Sequence, residues 1–500
     1  MFKSVSYTVL IVVFVLGLAM ALNIISSKVH KRWDITDEKE FSLSPATKNI
    51  LSKLDDILTI QLYYSNDLPP ILHPIQQQIA DLIEEIKATA TQTILIENIA
   101  PDLNEETEQE AIALGIAPLE LNIKEKDKIE LKKVFMGMAL YYQDKKEVIP
   151  IVVQVNNLEY QLSLSLLKLT QGKLPRIGLY VGSNRDQYSS LKEIISQIAQ
   201  LVPIEGDESA LEDKNLAALV IVDPVEIKDT FAEQLDNLAL KGTNIILFTA
   251  NVTISNTLIP QKVSSGLEDW LKEKNIIVSE QLLIDASQNM RAAFNTGVLQ
   301  VYIPYVFWAR TLKHDLNRDH PITALIEEVL FPWSNALLFN TDKESVWTPL
   351  ELIHSSKTSF LQPEDIPDVS PEYYSTMTKT PRLQELPLSV VLTHSKNKTA
   401  GKIFITSTHH LVQDRFLTQA PSNPVFLSNM LEYSSWGNEL INIRSRGKTT
   451  RPIKHLVGNH KTAIKWGHTA GIPGLAIFLG VGSILVGRQR RKRFIKKLSQ

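Results

Sequence analysis

The sequence predicts an α/β protein: two α/β units, the second a doubly wound and mainly parallel sheet, flanked by N- and C-terminal transmembrane helices. Three observations predict it. From residue 176 onward, short and almost wholly apolar runs alternate with amphipathic segments, the pattern of buried parallel strands and their crossover helices. Between residues 57 and 99 an apolar run, a helical stripe and a second apolar run follow in the order of a βαβ unit. A long uncharged segment stands near each end.

The first unit is expected over 34–171. Ser44 before Pro45 reads as a helix cap and first turn, with Ile50, Leu51 and Leu54 as the buried stripe. Ile57 to Tyr64 reads as a strand, Ile75, Ile79, Leu82, Ile83 and Ile86 recur at helical spacing, and Thr93 to Ile99 is the next strand. Asn104 caps a short helix that stops at Gly115, and Leu119, Leu121 and Ile123 alternate as a half-buried strand. Val134 to Tyr142 and Val148 to Val153 flank a polar turn as a hairpin, and a helix from about Leu158 to Leu169 closes the unit.

Gly172 and Pro175 mark a boundary, and the second unit is expected over 175–443. Strands at 176–181, 217–222 and 244–249 alternate with helices at 191–198 and 231–240. Residues 286–375 are rich in aromatics and Pro and show no clean period. Leu386 to Thr393 and Lys402 to Ser407 read as two more strands, Asn423 before Pro424 as the cap of a helix to about Tyr433, and 438–446 as a last strand.

Val5 to Ile25 carries no charge and is long enough, at ~1.5 Å per residue, to span a ~30 Å hydrocarbon core. A cleaved signal peptide is the competing reading, since Ala19-Met20-Ala21 fits a small-x-small cleavage pattern. At the other end a basic linker, 447–467, leads into a Gly-rich apolar segment, 470–487, and a tail, 488–500, with seven Lys or Arg. Such a tail is retained in the cytoplasm, which places the intervening body outside it; Lys28, Lys31 and Arg32 argue the other way. Within the second span, Ala476 with Gly480 and Ser483 with Gly487 are small residues four apart, suited to close helix packing or simply tolerated there.

The net charge of −3 conceals an asymmetry: the first 33 residues and the last 57 contain no acid, leaving 34 basic against 55 acidic residues between them. Basic ends around an acidic body point to a membrane and away from nucleic acid. With no Cys there is no disulfide, thiolate metal site, iron–sulfur cluster or Cys nucleophile.

Few motifs carry chemistry. Gly447-Lys448-Thr449-Thr450 resembles the end of a phosphate-binding loop, but Asn442 stands where such a loop needs Gly. The turn after 176–181 lacks a dinucleotide fingerprint, and no Gly-x-Ser-x-Gly elbow or HExxH is present. His409-His410, read as neighbours on a strand, point to opposite faces, and His314 and His320 fit no common ligand spacing, so no metal or other cofactor is expected. Asp223, directly after an apolar strand, occupies the edge where doubly wound sheets bind ligands, and Asp before Pro is also a turn former.

The sequence resembles the auxiliary membrane subunits of gliding-motility-type ABC transport systems, whose extracytoplasmic part is related to a domain of intraflagellar-transport proteins. The likeness lies in Phe41-Ser42-Leu43-Ser44 with Thr47, Leu68-Pro69, Ala113 to Ile116, Lys146 to Pro150 with Glu159-Tyr160, the segment from Asn423 through Asn429 to Trp436, and Ile443 to Arg446. The apolar end with Pro473 and its basic tail adds to it. The resemblance implies an inner-membrane complex with a separate ATPase and a multispan permease, and brings no catalytic residues. Ser44, Thr47, Pro69, Glu159, Tyr160, Asn423 and Asn429 are then scaffold or partner-contact positions. The expectation is a non-enzymatic, two-span auxiliary subunit of an ABC-type exporter with both termini cytoplasmic; a tethered envelope glycan hydrolase and a glycan- or ligand-binding protein are the alternatives.

Overall fold

Ser44 starts the first described helix as its sequence predicts. Its hydroxyl accepts from the Thr47 amide at 3.0 Å, and α1 (Pro45–Ser52) buries Thr47, Ile50 and Leu51. The computed structural model describes residues 42–437, except 126–127, 153–157, 171–172, 206–210, 212–214, 256, 296–298, 325, 341–344, 364–368 and 374–381, with a few isolated positions nearer the ends. Residues 1–447 form one unit and 448–500 another. Among the described residues no helix is long and apolar enough to cross a membrane. Apart from isolated positions, the expected spans 5–25 and 470–487, the linker 447–467, the strand at 438–446 and the tail 488–500 lie outside the described residues.

The N-terminal lobe is built on the expected βαβ unit. β1 (Leu58–Tyr64) lies parallel to β2 (Ile94–Ile99), and the crossover is α2 (His73–Thr89), which buries Ile79, Ile83 and Ile86 along one stripe. Asn104 caps α3 (Glu105–Ala113) through the Thr107 amide, and Gly115 turns the chain at φ +87°. A two-stranded hairpin follows, β3 (Leu119–Glu125) with β4 (Lys128–Val134). The strand expected over 134–142 therefore begins only at Met136, and Val134 ends β4 instead. The chain changes sheet at Phe135, whose carbonyl and amide are taken by the amide and hydroxyl of Ser65, and continues as β5 (Met136–Tyr142) beside β1. β6 (Lys145–Ile149) completes the four-stranded order β2-β1-β5-β6, and α4 (Leu158–Thr170) covers it.

The second lobe confirms the doubly wound sheet. β7 (Arg176–Val181), α5 (Ser189–Ile198), β9 (Ala218–Val222), α6 (Asp229–Leu240) and β10 (Asn244–Phe248) follow as expected, and β8 (Gln200–Ile204), not expected from the sequence, stands between α5 and β9. The parallel strands run β8-β7-β9-β10-β22, with β22 (Ile403–Thr406) the last in the chain. Winding order 2-1-3-4-5 puts the topological switch between β7 and β9. Along β9, Ala218, Val220 and Val222 enter one core with residues of α5, while Leu219 and Ile221 enter the other with residues of α6. Burial on both faces is why this strand reads as uniformly apolar.

The aperiodic region is antiparallel β-structure. β11 (Val252–Ile254) pairs with β12 (Pro260–Lys262), and after α7 (Glu268–Glu273), β13 (Ile276–Val278) pairs with β18 (Leu337–Phe339) and β14 (Leu283–Asp285) with β20 (Ser359–Leu361). β15 (Asn289–Asn295), β16 (Gln300–Leu312) and β17 (Glu328–Pro332) make a three-stranded sheet over a cluster of Tyr305, Phe307, Trp308, Trp333 and Phe416. β19 (Trp347–His354) and β21 (Pro387–His394) extend the main sheet antiparallel.

α8 (Asp414–Gln419) and α9 (Ser422–Trp436) end the described chain. Trp436 donates to the Ile198 carbonyl at 3.1 Å while packing against the N-terminal core. Asn423 is not the expected cap. It lies inside α9, fully buried, and its amide group grips the Leu330 backbone from both sides, at 2.9 and 3.1 Å. The backbone of a buried strand offered a better partner than the helix start.

Candidate functional site

The carboxyl ends of β7, β9, β10 and β22 meet at one edge, and Asp223 sits at its centre. Gly182 permits this: a Cβ there would lie 2.1 Å from the Asp223 carbonyl, so only glycine lets the two strand ends approach. Asp223 is buried at φ +50°, the turn that its place before Pro suggested. Its carboxylate accepts the Ser183 hydroxyl through Oδ2, and Oδ1 lies 3.3 Å from His409 Nδ1. Asn184 and Trp333 beside it also hold left-handed backbone, at +48° and +43°. Such conformations store of order 1 kcal/mol each and gather at functional sites.

His409 and His410 follow β22 rather than lying on it. The expectation of opposite faces fails because the strand ends at Thr406 and the chain turns: the two rings stand 4.2 Å apart, both only 2% exposed. His409 Nε2 reaches Thr253 Oγ1 at 3.4 Å. The Ile254 amide can only donate, so His410 Nε2 accepts it at 3.4 Å and Nδ1 must carry the proton given to Gln413 Oε1 at 3.1 Å. That tautomer satisfies both nitrogens without charge. Burial accordingly lowers His409 to about 3 and His410 well below the ordinary imidazole value, and raises the Asp223 carboxyl, each because the ion has lost its water. The imidazoles are neutral at physiological pH.

At the same sheet edge opens a cleft of about 520 Å³, lined by Asn184, Asp186 and Gln187 after β7, by Thr253 to Ser255 and Gln261, and by Trp333 and Gln413 to Phe416, and not by Asp223, His409 or His410. The sequence pointed to Asp223 alone. The same strand-edge argument applied to the run ending at Thr406 would have reached His409, His410 and Gln413. No group of three or more residues suited to a metal ion occurs among the described residues.

The other singled-out positions lie elsewhere. Glu159 Oε1 accepts the Ser44 amide at 2.7 Å and the Thr47 hydroxyl at 2.6 Å, so three of them form one network that docks α1 on α4. Tyr160 donates to the buried Glu432 of α9. The Pro69 carbonyl accepts the Leu72 amide at 2.8 Å in the turn before α2, and Asn429 donates to the Ile322 carbonyl at 2.9 Å. Ala476, Ser483 and Gly487 lie outside the described residues; Gly480 is helical and belongs to the second unit.

Residues 167–435, more than half of the chain and all of the doubly wound sheet, match the family model described as an ABC-type uncharacterized transport system. The chain belongs to that family. It is thus an auxiliary protein of an ABC-type transport system, as the sequence resemblance implied at that level. A second family model, a domain of unknown function, matches residues 37–141. An uncharacterized protein of Borreliella burgdorferi is 24% identical over 432 residues, which cover 83% of this chain and 84% of its own length. Among solved structures, a ThuA-like protein from Bacteroides uniformis aligns over 52% of this chain and 92% of its own, at 12% identity and TM-score 0.30. A β-galactosidase from Halorubrum lacusprofundi aligns over 81% of this chain and 49% of its own, at 10% identity and TM-score 0.26.

Proposed function

We propose that this ABC transport auxiliary protein is a non-enzymatic subunit of an exporter of the gliding-motility type. It is anchored in the bacterial inner membrane by spans at 5–25 and 470–487, with both lobes outside the cytoplasm and both termini inside. It works beside a separate ATPase and a multispan permease. One observation carries the subunit reading, the family match over residues 167–435, and the sequence resemblance that accompanies it brings no catalytic residues. The acid-free apolar ends support the anchoring.

The test has two arms. A reporter fused after Gln500 is expected in the cytoplasm and one inserted at Lys262 outside it; a cytoplasmic signal from Lys262 overturns the topology. The purified chain is expected to turn over no ATP alone and to bring down an ATPase and a multispan permease from solubilised membranes. Turnover by the pure chain, lost on substitution of its own residues, refutes the subunit reading.

A further inference from the structure

A carboxylate already sits where a doubly wound sheet ordinarily holds a phosphate. In such folds the helix after the first strand aims its free amides into the switch-point crevice, and those amides take an anion. Here that helix is α5, and its first two amides are occupied. Asp414 Oδ2 accepts from Ser189 N at 3.1 Å and Oδ1 from Ser190 N at 2.7 Å. The residue arrives from 225 positions later in the chain, at the start of α8. A phosphate entering the cleft would find those two amides taken and a fixed negative charge in front of them.

The rest of the cleft has capacity to spare. The side chains of Asp186, Gln187, Gln261 and Arg415 line it and make no hydrogen bond among the described residues. Arg415 instead lies over the rings of Trp308 and Phe416, 5.1 and 5.2 Å from their centres. With Asp414 the lining holds two carboxylates against one guanidinium, so the cleft disfavours an anion. Acceptors, two amides and a forked donor are all satisfied together by hydroxyl groups, each of which donates and accepts. The volume, about 520 Å³, suits a small molecule.

We propose that this cleft binds an uncharged, hydroxyl-rich small molecule of the saccharide class, and that Asp414 sets the preference by filling the phosphate cradle from within. The inference goes beyond the assembly reading and stands or falls separately from it.

Full-length protein in detergent is to be screened on an array of neutral saccharides and titrated calorimetrically with the best binder, inorganic phosphate, AMP and glycine. The expected result is binding of a neutral saccharide, with no heat from the other three. Gln187→Ala and Asp186→Ala should each weaken that binding by about tenfold without moving the melting temperature. Asp414→Ala, which frees the two amides, should gain phosphate binding. Asp414→Asn, which keeps an acceptor oxygen there, should still exclude it. Binding of phosphate, AMP or glycine to the unaltered cleft, or an array with no binder, overturns the proposal. Should Asp414→Ala fail to fold, the titrations of the unaltered chain and the Gln187 variant decide it.

Discussion

Tyr160 at the start of α4 donates its phenolic hydrogen bond to Glu432 in α9, 272 positions away, and both side chains are buried. Replacing Tyr160 with Phe keeps the ring and removes one donor from a buried carboxylate. The expected loss is about 1–3 kcal/mol, read as a lower urea midpoint at unchanged slope. No shift in the midpoint would mean that the pair carries no stability.

The Glu159 network gives a sharper comparison. Glu159→Ala abandons the Ser44 amide and the Thr47 hydroxyl, and should cost about 2 kcal/mol or more, whereas Glu159→Gln retains the accepting oxygen and should cost much less. Equal losses in both variants, measured by chemical denaturation, would show that the negative charge matters more than the hydrogen bonds.

Asp285 anchors the antiparallel region. Its buried carboxylate accepts from the amides of Ser287, Gln288 and Ser356 and the hydroxyls of Ser356, Thr358 and Ser359. Asp285→Asn turns one acceptor into a donor facing donors, and should cost about 3 kcal/mol. Thermal melting checks it, and a melting temperature within a degree of the unaltered chain would contradict it.

Acid should destabilise the second lobe. Burial, helped by the Lys402 charge, lowers His320 to about 4, and burial lowers His409 to about 3, against an ordinary value of 6.5. Below pH 6.5 the unfolded chain takes up protons that the folded chain refuses, so stability falls from there towards pH 4 and then 3, by about 1.4 kcal/mol per pH unit for each group. Asp223, raised, works in the opposite sense, because the folded state holds its proton where the unfolded state has lost it. Unfolding free energies at pH 7 and pH 5 should therefore differ, and His320→Gln should flatten the slope between them. An unaltered slope in that variant would remove His320 from the account.

The proposed second span offers a membrane test. If it packs on a permease, Ala476→Leu with Gly480→Leu should reduce permease recovery at equal membrane abundance, because only small side chains allow close helix approach in lipid. Undiminished recovery would make the lobes the docking surface.

How much of this was legible depended on whether burial was one-sided or local. β9 stood out because burial on both faces leaves an unbroken apolar run, α5 because one buried stripe fixes its period, and Ser44 and Asn104 because a cap is a local bond. The break at Phe135 was hidden because it depends on Ser65, 70 positions earlier. β13, β14, β18 and β20 are three residues long, too short to show a period, and are held by partners far along the chain. Asn423 was misread for the same reason, since Leu330 competes with the cap from 93 positions away. At the site, Asp223 was visible by following a strand to its edge, whereas its contact with His409 exists only once β22 has joined the sheet.

The position of α9 in the chain has a consequence for biogenesis. A ribosome releases the N-terminal lobe long before Glu432 and Trp436, so Tyr160 and the surface that receives Trp436 wait uncovered through the synthesis of more than 250 residues. A product truncated before Ser422 keeps all the strands of both sheets yet lacks those late contacts. Such a molecule is unfinished at that clasp even though every strand is already in place.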